Sequence, residues 1–155
     1  MSHVQIIPVL LCVVTLALTG AGAGRAADEL DAETRMRVEK FDRGPATIDV
    51  SKYPKPIQNN YQVFVKNCTQ CHKLSRPINA NYALPGEWER YLKRMFSNPG
   101  YRGNDGDAQK IFEFLVYDSS IRKQAMVQAK LAQATAEDRK AEEERIKVIR
   151  AKYDK

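Results

Sequence analysis

Cys68-Thr69-Gln70-Cys71-His72 is the stretch on which the reading of this chain turns. It sets two thiols three positions apart and an imidazole directly after the second. On one helical turn, residues three apart face the same side, so both thiols reach the same edge of a flat group. The next residue then brings its ring nitrogen toward the centre of that group. A covalently attached c-type haem needs this set of three. The thiols bond the two vinyl groups of one porphyrin edge, and the histidine becomes the proximal ligand of the iron.

Two other chemistries use a Cys-x-x-Cys pair. A structural zinc ion needs four ligands, and no second cysteine pair follows in a chain with three cysteines and two histidines. A dithiol redox pair belongs in an alternating strand and helix setting, whereas the flanks here carry helical periodicity. Haem is the expected cofactor, one per chain, and a dithiol switch is the alternative.

Haem is joined to such motifs outside the cytoplasm, which predicts an export leader. Residues 6–18 form an apolar run, and Thr19-Gly20-Ala21-Gly22-Ala23-Gly24-Arg25-Ala26-Ala27 supplies small residues of the kind signal peptidase cuts. We read residues 1–27 as a signal peptide cleaved after Ala23 or Ala27, and the mature protein as periplasmic. Met1-Ser2-His3-Val4-Gln5 contains no Lys or Arg, so an uncleaved membrane anchor is the alternative. Cys12 lies within the run and reads as an apolar residue. Beyond the leader, the cysteines are Cys68 and Cys71 and the histidine is His72. The chain therefore supplies no second imidazole to the iron and has no cysteines to spare for a structural disulfide.

The chain of 155 residues carries a formal net charge of +6. A mildly basic surface suits redox protein partners that are acidic or membrane-bound. No dense Lys/Arg stripe with interleaved aromatics appears, which argues against nucleic acid. No small-molecule substrate is expected.

The pattern along the chain is all-α. Residues 28–45 are densely charged and read as a solvated helix or disordered arm ending at Gly44-Pro45. The haem domain is expected over residues 46–120. Its first helix, capped by Asn59 or Asn60, bears Tyr61, Phe64, Val65 and Cys68 at helical spacing. A loop follows through residues 74–81. Pro85-Gly86-Glu87 opens a second helix whose Trp88, Tyr91, Leu92, Met95 and Phe96 follow the i, i+3, i+4, i+7 pattern. Asp105 or Asp107 caps a third, bearing Ile111, Phe112, Leu115 and Val116. Residues 121–155 read as a charged, Ala-rich helical tail, either solvated or a docking helix, with a fresh start at Thr135-Ala136-Glu137-Asp138.

Function turns on the sixth position of the iron. The candidates are Met36, Met95 and Met126, or a position left open or filled from outside. Met36 lies in the polar arm and Met126 in the tail. Met95 ends the helix that must fold over the far face of the haem, although it also fits a plain core position on that helix. With His72 and Met95 bound, the iron has no place for substrate, so the expected role is single-electron transfer without enzymatic activity. A thioether ligand favours the ferrous form, giving a moderately positive potential. Two alternatives follow from the same residues. One is a fixed haem subunit of a membrane complex docked through its C-terminal helix. The other is a five-coordinate haem that binds gases or peroxide.

Supporting residues follow. A proximal imidazole donates its other N–H to a backbone carbonyl, here that of Pro77 or Pro85. Arg76, Arg90, Arg94 and Trp88 are candidates for contacting haem propionates. Lys66, Lys73 and Lys93 are candidates for the rim that meets an acidic partner.

A helix running into Cys-x-x-Cys-His, with Ile111-Phe112-Glu113-Phe114-Leu115-Val116-Tyr117 as a closing helix, resembles the class I cytochrome c superfamily. More narrowly, Cys68-Thr69-Gln70-Cys71-His72-Lys73-Leu74, Arg76-Pro77-Ile78-Asn79, Glu87-Trp88-Glu89-Arg90-Tyr91, Arg94-Met95 and Phe114-Leu115-Val116-Tyr117-Asp118 resemble the monohaem cytochromes grouped with the reaction-centre cytochrome c of green sulfur bacteria. The resemblance covers residues 46–123. It implies a cytochrome c-like helical domain and a haem ligated by His72 and Met95.

Overall fold

The computed structural model describes residues 31–155, and the expected signal peptide lies outside them. The described residues form seven helices and no strand, an all-α architecture. These are α1 (Ala32–Asp42), α2 (Lys55–Cys68), α3 (Ser75–Asn79), α4 (Pro85–Phe96), α5 (Asp105–Arg122), α6 (Gln124–Gln133) and α7 (Ala136–Tyr153).

The centre of the fold is the packing of α2 on α5. Ile57 and Phe64 of α2 and Ile111, Phe114 and Val116 of α5 are buried almost completely. Phe114 stacks in tilted geometry against both Tyr61 and Phe64, with ring centroids 5.1 Å apart in each pair. Trp88 of α4 extends this core toward Tyr82 and Tyr91. Packed aromatics of this kind add to their burial energy through edge and offset contacts.

Helix boundaries differ from the sequence reading in instructive ways. α2 begins at Lys55, not at an Asn59 or Asn60 cap, because Pro54 and Pro56 set the chain into its first turn. Proline tolerates those positions, where its missing N–H has no intrahelical partner anyway. α5 is capped by Asn104, whose side chain accepts from the Asp107 amide at 2.9 Å. Asp105 and Asp107 occupy its first turn instead, where they complement the helix dipole. The segment after Cys-x-x-Cys-His contains the short helix α3 rather than a loop alone.

Neither the arm nor the tail stands apart. The end of α1 is pinned to α3, where Arg76 forms a forked ion pair with Asp42 at 3.0 and 2.6 Å. Asn79 donates there to the Phe41 carbonyl at 3.1 Å. α5 runs through residue 120 without a break, so the expected domain boundary falls inside a helix. The tail then folds back as α6 and α7, burying Val127, Leu131 and Ile149 against the rest of the chain. Lys152 and Tyr153 of α7 both bond the buried Glu113 of α5, the former at 2.6 Å. These few apolar side chains dock the tail together with the ionic and phenolic contacts at Glu113.

Candidate functional site

The Cys-x-x-Cys-His motif begins where α2 ends. Cys68 is the last residue of that helix and is half-buried, while the chain turns through residues 69–72 and leaves Cys71 exposed. Burial pushes the Cys68 thiol up to about 12, and the neighbouring Cys71 adds to the effect. His72 lies with Nδ1 3.0 Å from the carbonyl of the next residue, Lys73. A carbonyl can only accept, so this contact puts the proton on Nδ1 and leaves the lone pair on Nε2. The orienting carbonyl is thus that of Lys73, and neither Pro77 nor Pro85 supplies it.

These residues open onto a cavity of about 230 Å³. Asn67, Cys68, Cys71 and His72 form one side, and Tyr91, Leu92, Met95 and Phe96 of α4 form another. Asn98 and Tyr101 of the following loop complete it. The four residues singled out from the sequence as cofactor-binding therefore line one cavity. Met36 is 64 % exposed on α1, and Met126 packs against the small cluster of Ala83, Val127 and Leu131, away from this cavity.

Two features of the lining were not singled out from the sequence. Tyr91 precedes Met95 by one helical turn and so shares its face. Its hydroxyl is buried and has no hydrogen-bond partner among the described residues. Burial drives its phenol well above the ordinary tyrosine value, so it remains a neutral donor. The Arg94 guanidinium stands 5.7 Å from the centre of the Tyr91 ring. A buried polar atom without a partner costs about 1–3 kcal/mol, so this one marks the side from which a polar group would be met.

Asn67 is the second feature. Its amide donates to the Val63 carbonyl at 2.9 Å, and its oxygen accepts from the Tyr101 hydroxyl at 3.1 Å. The loop after α4 is thereby tied to the end of α2. Phe96 and Tyr101 pack with ring centroids 4.5 Å apart. A Cβ on residue 103 would fall 2.2 Å from the Tyr101 ring, so only glycine allows this approach.

Other candidates are occupied elsewhere. Arg76 is held by Asp42, and the Trp88 indole donates to Ser119 inside the core at 2.9 Å. Lys66, Lys73, Lys93, Arg94 and Arg102 are exposed and have no carboxylate within 4.0 Å among the described residues. Among the described residues, no three Cys, His, Asp or Glu side chains converge so as to hold a bare metal ion. No described helix is long and apolar enough to cross a membrane.

Comparison with protein-family models, with characterised proteins and with solved structures returns no match to this chain.

Proposed function

We propose that the chain is an exported monohaem c-type cytochrome that carries single electrons between protein partners. The observation that carries this reading is the shared cavity: two thiols, an imidazole and a thioether line one largely apolar space. Bound there, a haem would supply one-electron ferric/ferrous chemistry.

The residues present fit such a group. Cys68 and Cys71 provide the two thioether attachments. His72, with its lone pair on Nε2, and the Met95 thioether are the two side chains that would hold the iron. Leu92 and Phe96 exclude water from the space between. The Tyr91 hydroxyl and the Arg94 guanidinium are suited to meeting an acidic substituent at the cavity edge. The exposed cations of Lys66, Lys73, Lys93 and Arg102, with no carboxylate partner among the described residues, suit an acidic partner surface, which steers encounter more than it sets affinity.

The docked-subunit alternative would have to use the outward faces of α6 and α7, since their apolar residues pack within the chain.

The reading is tested by the intact mass of the chain purified from its native compartment. A gain of one haem, with both Cys68 and Cys71 unreactive to thiol reagents, is expected. Free thiols at those two positions would refute it.

A further inference from the structure

We infer that the C-terminal tail is an intramolecular latch on the cavity, in which Glu142 of α7 is the positioning residue for the helix that carries Tyr91 and Met95. This rests on the proposed function only for what the cavity holds. The latch itself stands on contacts within the chain.

The N-terminus of α4 cannot complete its own hydrogen bonding. Its cap position is Leu84, which has no side-chain acceptor, and Pro85 has no N–H. Glu87 reaches back to accept from the Ala83 and Leu84 amides at 2.9 and 3.0 Å. The Gly86 amide is left over, and its partner comes from far along the chain. Both carboxylate oxygens of Glu142 lie 3.1 Å from it. A carboxylate there also meets the positive end of the helix dipole.

Gly86 is fitted to this contact. A Cβ at that position would fall 2.4 Å from the nearer Glu142 oxygen. Neighbouring contacts grip the same stretch of α4. Lys130 of α6 pairs with Glu87 at 2.5 Å, and Arg145 of α7 pairs with Glu89 at 2.9 Å while lying over the Phe112 ring. The tail therefore holds the first turns of α4, and the last turns of the same rigid helix form a wall of the cavity. Releasing one end tilts the other, which changes how firmly Met95 is presented.

The test uses the full-length, haem-loaded protein and three variants. Glu142→Ala removes the acceptor. Gly86→Ala displaces it without altering Glu142, and alanine favours the helix more than glycine does. Glu142→Gln keeps one acceptor oxygen and should restore most of the behaviour. In both alanine variants, the sulfur-to-iron band of the ferric protein should weaken and CO should bind the reduced protein about fivefold faster. Backbone hydrogen exchange over residues 91–96 should quicken in the same two variants. Unchanged exchange there in both alanine variants overturns the latch, whatever the iron's ligands. A wild-type protein lacking the sulfur band, with exchange still quickened in the variants, supports the latch and instead overturns Met95 as ligand.

Discussion

Trp88 donates its indole N–H to Ser119 Oγ at 2.9 Å, in a site closed to solvent between α4 and α5. This bond fixes the middle of α4, one turn before Leu92 and two before Met95. Ser119→Ala leaves the indole without an acceptor, and an unsatisfied buried donor costs about 1–3 kcal/mol. Trp88→Phe removes both the bond and part of the core filling, for about 2–4 kcal/mol. Denaturant midpoints at unchanged slope should report these losses. Midpoints within error of the parent would show that the bond does not hold α4 in place.

Met95 and Met126 offer a clean pair. Met95→Ala should abolish the sulfur-to-iron band of the ferric protein and let the reduced protein bind CO rapidly. Met126→Ala should do neither, since that side chain packs between Ala83 and the α6 cluster. The reverse pattern would move the distal ligand to the tail.

Acid should release the tail first. Burial raises the Glu87 carboxyl, but hydrogen bonds from the Leu84 amide, the Lys130 ammonium and the Ala83 amide outweigh it, and its pKa lies below the ordinary 4.5. Burial also raises the Glu113 carboxyl, and hydrogen bonds from Lys152, Tyr153 and Gln109 outweigh it, so this pKa too lies below the ordinary value. Folded-state values depressed in this way add stability that is complete above the unfolded value and is lost as pH falls through the folded one. Melting temperature should therefore drop below about pH 4.5, and Glu113→Gln should flatten that drop.

Alkali acts oppositely at Lys123. Burial pushes its ammonium down to about 8, even though it donates to the Ala80 and Tyr82 carbonyls at 2.7 and 3.0 Å. The unfolded chain holds that proton more tightly, so stability should rise with pH from about 8 toward the ordinary lysine value of 10.5. Buried tyrosines such as Tyr53 begin to oppose it above the ordinary phenol value of 10.0. Thermal melts between those limits should show the rise, and Lys123→Met should remove it.

Helix order was legible in the sequence wherever apolar residues recur at helical spacing, as in α4 and α5. The cavity's four chemical residues were legible because Cys-x-x-Cys-His is a local motif and Met95 sits on a strongly amphipathic helix. What stayed hidden depends on distant contacts. Nothing near Glu142 in sequence reveals that it would meet an amide 56 positions away. The docking of α7 through Ile149, Lys152 and Tyr153 is not visible in a segment whose residues are mostly charged or alanine. Trp88 and Arg76 looked available to a cofactor until Ser119 and Asp42 were found beside them.

The described core is built from the chain's own side chains, which sets how much of the fold a haem-free protein keeps. The buried residues of α2 and α5 pack on each other directly, and the cavity lies to one side. Cys68→Ala/Cys71→Ala protein should keep slow hydrogen exchange in α2, α4, α5 and α7 and lose it in residues 69–74 and 97–104. Uniform fast exchange would show instead that the domain is held together by the haem.

The optical spectrum of the purified native protein, recorded oxidised and then reduced, tests the account most directly. Low-spin haem c bands in both states, with a sulfur-to-iron band in the ferric form and no change on adding CO to the reduced form, are predicted. A colourless protein, or a high-spin haem that takes up CO at once, would contradict it.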